Sequence, residues 1–172
     1  MKPSELTQTE YFQYYKAYVD LVDDIPLMEA LGRGLMNTKE FFESISTEKQ
    51  LHQYGQGKWT PKEILLHLID TERVFCYRAL YFARAEGSNI EGFDENTFGK
   101  DLLFQKFVID DDLLKEYVVV RTSTISLFES FSEVVLKRGG MVNNNILSVR
   151  AAGFIICGHE IHHKKVIEER YL

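Results

Sequence analysis

Apolar residues recur at helical spacing along most of the chain, which predicts an all-α protein. The β-branched run Val118–Val120 would suit a strand on its own, but it lies inside a longer helical period and favours helix. Gly32 and Gly34 weaken the first long pattern. The predicted helices are a short one over 9–22 and four long ones over 24–45, from 60 to about 85, from 110–112 to about 138, and from 148 almost to 172.

The second long helix has the clearest start signal in the sequence. Thr60 suits the N-cap, Pro61 suits the first turn, and Glu63 completes a capping box with Thr60. Gly87 is the expected stop, because glycine readily adopts the backbone conformation that ends helices. These signals place His67 on a well-defined helix.

The four long helices predict a single domain that spans residues 1–172. The stretch 87–110 is too irregular for a long helix and too long for an ordinary bundle turn. Such a connection is expected to cross the end of the bundle or to serve the function. With 143–148 read as a loop, the expected fold is an antiparallel four-helix bundle with a long crossover connection.

The short first helix is rich in tyrosine. Its tyrosines recur at helical spacing at positions 11, 14, 15 and 18. We interpret them as an aromatic face that packs on the bundle, in preference to a surface on which a ligand stacks.

Composition narrows the class of protein and its location. A net charge of −6, without a run of Lys or Arg, argues against nucleic acid as a partner. Cys76 and Cys157 lie in apolar helical patterns, which indicates buried thiols in a reducing compartment. The sequence has neither a signal-peptide pattern nor the roughly 20 apolar residues of a membrane span. We therefore expect a soluble cytoplasmic protein.

Three of the five histidines suggest a metal site. His159 and His163 are four residues apart on the last helix, so both imidazoles can face one ion. His67 lies on another helix, and facing helices of a bundle commonly share a metal site. His162 competes with His163, because its spacing from His159 also keeps both side chains on one face. The alternative is a set of hydrogen-bonded or partly exposed histidines without a metal.

Residues 159–163 also satisfy the H-E-x-x-H pattern of zinc metalloproteases, with Glu160 as the general base. Few residues follow His163, which leaves little room for a further ligand. The sequence has no strand pattern that would align a peptide substrate, and Gly158 directly precedes the motif. A metal site without protease chemistry is therefore favoured.

Several segments together carry a family resemblance. They are GKWTPKE at 57–63, HLIDTER at 67–73, GFDEN at 92–96, GHEIHH at 158–163 and ERYL at 169–172. In this order they resemble the second helix, a loop and the closing helix of the DinB-like superfamily. The resemblance spans most of the chain.

Resemblance to this superfamily implies a four-helix bundle with an up-down-down-up order, often dimeric. It also implies a divalent metal ion held by one histidine of the second helix and an H-x-x-x-H pair of the last helix. These positions match His67, His159 and His163, which favours His163 over His162. Relatives include low-molecular-weight thiol transferases, of the bacillithiol, mycothiol and glutathione types, and metal-dependent hydrolases.

The expected function follows from the metal and the family. Three imidazoles leave an open coordination position, where a small thiol or water becomes a nucleophile near neutral pH. We therefore expect a metal-dependent thiol S-transferase or hydrolase that acts on a small molecule and forms a homodimer. Zinc or nickel is the expected ion, with iron as a further option, and a low-molecular-weight thiol is a candidate cofactor. The alternative is a dimeric bundle that binds a metal or ligand without catalysis.

Four further residues are candidates for supporting roles. Asp70 is one turn from His67 and could orient that imidazole or a bound water, or be a surface acid. Arg78 lies on nearly the same stripe and could attract an anionic substrate, or pair with a neighbouring acid. Asp94 and Glu95, on the long connection, could close over the mouth of the site, or simply be solvated.

Overall fold

The computed structural model describes residues 1–94 and 112–172, most of them helical. The rest of the predicted connection, including Glu95, lies outside these residues. None of the described helices is long and apolar enough to cross a bilayer. The helices are α1 (Lys16–Val19), α2 (Leu27–Ser44), α3 (Thr47–Gln50), α4 (Pro61–Arg84), α5 (Asp112–Glu129), α6 (Glu133–Leu136) and α7 (Val149–Arg170), and the strands are β1 (Asn89–Ile90), β2 (Gly139–Val142) and β3 (Asn145–Ser148).

Helix α4 begins where the sequence predicts. The hydroxyl of Thr60 accepts a hydrogen bond from the backbone N–H of Glu63, and the Glu63 carboxylate accepts one from the N–H of Thr60, at 3.2 and 2.7 Å. Pro61 occupies the first turn. This reciprocal cap satisfies two backbone donors that a helix start otherwise leaves without a partner.

Helices α2 and α7 run parallel to each other. Leu27, at the start of α2, lies against Gly153 near the start of α7. Further along both helices, Nζ of Lys164 donates to the backbone carbonyl of Asn37 at 3.2 Å. The two contacts follow the same order on both helices, which fixes the parallel direction.

Helices α4 and α5 also run parallel to each other. The guanidinium of Arg121 donates to the carboxylate of Glu72 at 2.8 Å, and Sγ of Cys76 lies 3.1 Å from Oγ1 of Thr124. Both contacts advance along the two helices together. Because the two helices are parallel, their connection is a crossover, as predicted.

Helices α4 and α7 run antiparallel. The hydroxyl of Tyr171, after the end of α7, donates to the carbonyl of Trp59, before the start of α4. His67, further along α4, contacts His159, which lies earlier on α7. The four long helices α2, α4, α5 and α7 therefore run up, down, down and up, which confirms the expected four-helix bundle.

The bundle core consists of two apolar clusters, one at each end, with a polar layer between them. Each long helix contributes buried or half-buried residues that are polar or small to this layer. In chain order they are Gly34 and Thr38 on α2, His67, Thr71 and Glu72 on α4, Arg121 and Thr124 on α5, and His159, Glu160 and His163 on α7. Buried polar groups require partners, so this layer is where the fold concentrates its specific chemistry.

A small three-stranded sheet departs from the purely helical prediction. Residues 143–148, predicted as a loop, form the turn and third strand of the antiparallel hairpin β2–β3. Asn143 and Asn144 have φ angles of 48° and 63°, which suit the two central positions of a tight hairpin turn. Strand β1 pairs in parallel with β2.

The helix predicted to reach about 138 ends earlier. Helix α5 stops at Glu129, and a short second helix, α6, follows. The hydroxyl of Ser132 accepts a hydrogen bond from the backbone N–H of Val135 and caps α6. A new cap so close to the end of α5 explains why one continuous helix was wrong.

The predicted helix over 9–22 is shorter than expected, since a 3-10 turn over Gln13–Tyr15 leads into Lys16–Val19 and the residues before it are not helical. The backbone N–H of Ser148 donates to the carbonyl of Glu10 at 2.7 Å, and Tyr11 forms a β-bridge with Leu147. The start of this segment therefore pairs with β3, which holds it in an extended conformation.

Replacing Glu10 by glutamine is expected to destabilise this attachment. The Glu10 carboxylate accepts hydrogen bonds from Arg150 at 2.7 and 2.5 Å and from the Ser148 hydroxyl at 2.9 Å. Although burial opposes it, hydrogen bonding to Arg150 holds the pKa of Glu10 below its ordinary value of 4.5. The ionised form therefore stabilises the fold at neutral pH, and this stabilisation is lost as the pH falls through the lowered pKa.

Urea unfolding of both proteins checks this prediction. At pH 7 Glu10→Gln is expected to lower the free energy of unfolding by about 1.5–3 kcal/mol, the range for charged hydrogen bonds. The difference should shrink when the titration is repeated below pH 4. Glu29→Gln, which removes an exposed pair with Arg33 on α2, is the control and should cost less than about 0.5 kcal/mol. Equal losses in both variants would contradict the prediction.

Candidate metal centre

Helices α4 and α7 bring three histidines together in the polar layer. Nε2 of His159 lies 3.1 Å from Nε2 of His67 and 3.0 Å from Nε2 of His163. A tetrahedral ion with metal–nitrogen bonds of about 2.0–2.1 Å separates its ligand nitrogens by about 3.3 Å. Two of the three separations are close to this value and all three ligand atoms lie within 4.8 Å of one another, so the three nitrogens can share one coordination sphere.

Hydrogen bonding alone does not explain this cluster. A ring nitrogen carries either one proton or one lone pair, so it makes one well-directed hydrogen bond. Nε2 of His159 has two ring nitrogens at contact distance, those of His67 and His163. A cation removes this conflict, because all three lone pairs can be directed at it.

The three imidazoles are in the charge state that metal binding needs. Burial lowers the pKa of His67 to about 4 and that of His163 to about 3. Burial also lowers the pKa of His159 well below its ordinary value, and the neighbouring histidines add to the effect. All three rings are neutral at pH 7, and a neutral imidazole can offer a lone pair to an ion.

Neighbouring side chains hold the rings in place. Oγ1 of Thr71 lies 3.5 Å from Nδ1 of His67, and the ring centroid of Trp59 lies 4.8 Å from that of His67. On the other side, the ring of Tyr18 lies edge-on to His159 at 5.3 Å. His163 differs from the other two, because its Nδ1 is buried without a hydrogen-bond partner among the described residues.

His162 and Asp70 lie outside this cluster. The ring of His162 packs against Tyr18, with 5.4 Å between centroids, and is not one of the three converging histidines. Asp70 has its nearest cation in Arg73, at 3.6 Å. The group that faces Nδ1 of His67 is instead Thr71, so an orienting role for Asp70 stays a prediction.

Glu160 points away from the histidines into a buried ion cluster. Its carboxylate accepts hydrogen bonds from Arg121 at 2.9 Å and from the hydroxyl of Tyr117 at 2.7 Å. Arg121 also pairs with Glu72, and Thr124 donates to the same carboxylate at 2.6 Å. Because this network occupies Glu160, the residue is not available as the general base of a metalloprotease.

A cavity opens beside the histidines and is lined largely by aromatic rings. His159 and Thr71 line it on the side of the cluster, and Arg78 lines it further along α4. The remaining lining residues are Tyr14, Tyr15, Tyr18, Phe75, Phe93 and Ile155. The tyrosines of the N-terminal segment thus form a cavity wall, a placement that their spacing in the sequence does not reveal.

The structure also describes the loop acid Asp94 and the two cysteines. Asp94 is exposed on the part of the long connection that the structure describes. Burial raises the pKa of the Cys76 thiol to about 11 and also raises that of Cys157, so both are protonated at neutral pH. Neither cysteine is a ready nucleophile, which agrees with their interpretation as core residues.

Comparison with known proteins places this arrangement in a family. The model of the DinB superfamily matches residues 30–167. The solved structure of YfiT from Bacillus subtilis, described as a probable metal-dependent hydrolase with an unusual four-helix bundle topology, superposes with a TM-score of 0.72. The alignment covers 83% of this chain and 82% of that chain at 20% identity, a level that shows a shared fold. No curated protein matches the sequence. Because the family match covers most of the chain, this protein belongs to the DinB superfamily.

Proposed function

We propose that this protein is a divalent-metal-dependent enzyme that uses His67, His159 and His163 as ligands and activates water or a small thiol. The observation that carries the proposal is the convergence of three imidazole nitrogens, two of them on buried side chains and one on a half-buried side chain, beside an open cavity. When bound, a divalent ion supplies Lewis acidity, which makes water or a thiol nucleophilic near neutral pH. Zinc or nickel suits this donor set best, and iron is compatible with it.

The residues around the histidines would orient the ligands and the substrate. Thr71 faces Nδ1 of His67, which leaves Nε2 of that ring directed at the cluster. Trp59 and Tyr18 pack against ligand rings and exclude water from those sides. The substrate would enter from the aromatic cavity, next to His159. The hydrolase description of YfiT, a protein of the same fold, supports the hydrolase form of the proposal.

Activity assays on metal-free and reconstituted protein test this function. The zinc-, nickel- and iron-loaded forms would be tested for conjugation of several small thiols to monobromobimane and for hydrolysis of activated esters and amides. We expect turnover that is lost on chelation and restored by the metal. Because His162 lies outside the cluster, His162→Ala should keep this activity, whereas His67→Ala should lose it. Tight metal binding without turnover of any substrate would instead favour a non-catalytic metal-binding bundle.

A further inference from the structure

Arg78 is a buried cation in the wall of the cavity. Its side chain is on α4, on the same stripe as His67, and the residue is 5% exposed. The guanidinium lies 4.9 Å from the ring centroid of Phe75. Arg78 also lines a second cleft, which continues the first toward Asn143 and Asn145 of the hairpin turn.

Within residues 1–94 and 112–172, Arg78 makes no ion pair and no side-chain hydrogen bond. No described carboxylate lines either part of the cavity. A guanidinium has five N–H donors, and burying one without an anion is costly. By contrast, the two other buried arginines are both paired, Arg121 with two carboxylates and Arg150 with the carboxylate of Glu10. Among the described residues, the Arg78 guanidinium is therefore free to bind an anionic ligand.

We propose that Arg78 binds the carboxylate of an elongated, otherwise apolar substrate whose reacting end lies at the three histidines. The inference rests on the proposed function for the reacting end, but the anion site itself does not require a metal. The planar fork of a guanidinium matches a carboxylate with two parallel hydrogen bonds. The ring of Phe75 below it keeps the fork in place.

The surroundings of Arg78 select the kind of anion. The shared walls of the two clefts are Tyr14, Tyr15 and Phe93, and Arg78 is the sole lysine or arginine among the lining residues that the structure describes. A site with one cation among aromatic rings suits an apolar molecule that carries one carboxylate better than one that carries a doubly charged phosphate. Eleven residues of helix separate His67 from Arg78, a rise of about 16 Å, so the substrate must span on the order of 10–15 Å.

A titration with matched probes tests the anion site. Backbone amide shifts of the full-length, metal-free protein would be followed with 4-phenylbutyrate, its neutral amide 4-phenylbutanamide, and phenyl phosphate. We expect the carboxylate to bind at least about tenfold more tightly than the amide and more tightly than phenyl phosphate. Arg78→Met should reduce carboxylate binding to the level of the amide, and Arg78→Lys should retain part of the preference.

Two controls separate a ligand site from a structural arginine. Arg84→Met, on an exposed position of the same helix, should leave the carboxylate preference unchanged. The melting temperature of Arg78→Met should be no lower than that of the wild type, because the substitution removes no ion pair or hydrogen bond among the described residues. Equal binding of acid and amide to the wild type, or a marked drop in the melting temperature of Arg78→Met, would overturn the proposal. Since these measurements use metal-free protein, failure of the metal site would not affect them.

Discussion

Replacement of His163 by alanine is expected to weaken binding of zinc or nickel at least about a hundredfold. Structural zinc sites with four protein ligands bind with about 10–16 kcal/mol, so one ligand accounts for about 3 kcal/mol. Nε2 of His163 lies 3.0 Å from that of His159, so its loss opens one side of the proposed coordination sphere. Isothermal titration of protein purified without a polyhistidine tag measures the change directly.

The same metal should stabilise the wild type against heat. At a concentration of one hundred times Kd, a ligand that binds only the folded state contributes about 2.7 kcal/mol. For a chain of this size that corresponds to a rise in Tm of about 5–10 °C. His163→Ala should lose this rise, whereas His162→Ala should keep it, because the ring of His162 packs on Tyr18 outside the cluster. Wild-type protein that neither binds nor is stabilised by zinc, nickel or iron would refute the metal site.

Local sequence signals were sufficient to predict the helices that carry these histidines. The capping box of Thr60 fixed the start of α4, and the four-residue spacing put His159 and His163 on one face. Spacing could not decide between His162 and His163, and it could not show that His67 meets them. Those points depend on how α4 packs against α7, which is a tertiary contact and leaves no local signature.

Two glycines illustrate what a single sequence hides. Gly34 and Gly158 look like weak points of their helices when only propensity is considered. In the structure, a Cβ on Gly34 would lie 2.1 Å from Oε1 of Glu160, and one on Gly158 would lie 1.9 Å from the carbonyl oxygen of Tyr18. Each glycine allows another segment to approach closely. Gly34 makes room for the buried ion cluster, and Gly158 makes room for the N-terminal segment that lines the cavity.

The pairing of distant segments with the β2–β3 hairpin was missed for a related reason. Tyr11 pairs with Leu147, and Asn89 pairs with Met141, so both partners are far apart in the sequence. Hydrogen bonds of this kind are decided by the tertiary fold, while a helical pattern is read within a few turns. The tyrosine spacing over 9–22 therefore predicted a helix from the start of this segment, where pairing with β3 keeps the first residues extended and helical structure begins at Gln13.

Replacement of Arg121 by methionine is expected to lower the free energy of unfolding by about 3–5 kcal/mol, the range found when one partner of a buried ion pair is removed. Arg121 is 1% exposed and bridges Glu72 and Glu160, which are themselves almost fully buried. Without the guanidinium, two carboxylates are left in the core with hydroxyl donors as their remaining partners. The corresponding fall in melting temperature is about 6–20 °C, measurable by circular dichroism.

A surface ion pair between α4 and α5 provides the matched control. Arg73 on α4 pairs with Glu116 on α5 at 2.7 Å, but its side chain is 49% exposed. Arg73→Met should therefore cost no more than about 1 kcal/mol. If Arg73→Met and Arg121→Met lowered the free energy of unfolding equally, the buried ion cluster would not stabilise the fold more than a surface ion pair does, and the prediction would be wrong.

A second substitution shows whether Arg121→Met loses stability because buried carboxylates are left unpaired or because packing contacts are lost. Glu160→Gln in the Arg121→Met background removes one of the two carboxylates that the guanidinium neutralises. If the unpaired carboxylates cause the loss, the double variant is more stable than Arg121→Met alone. The effects of the two substitutions on the free energy of unfolding are then strongly non-additive. If the loss comes from packing, the second change adds its own cost.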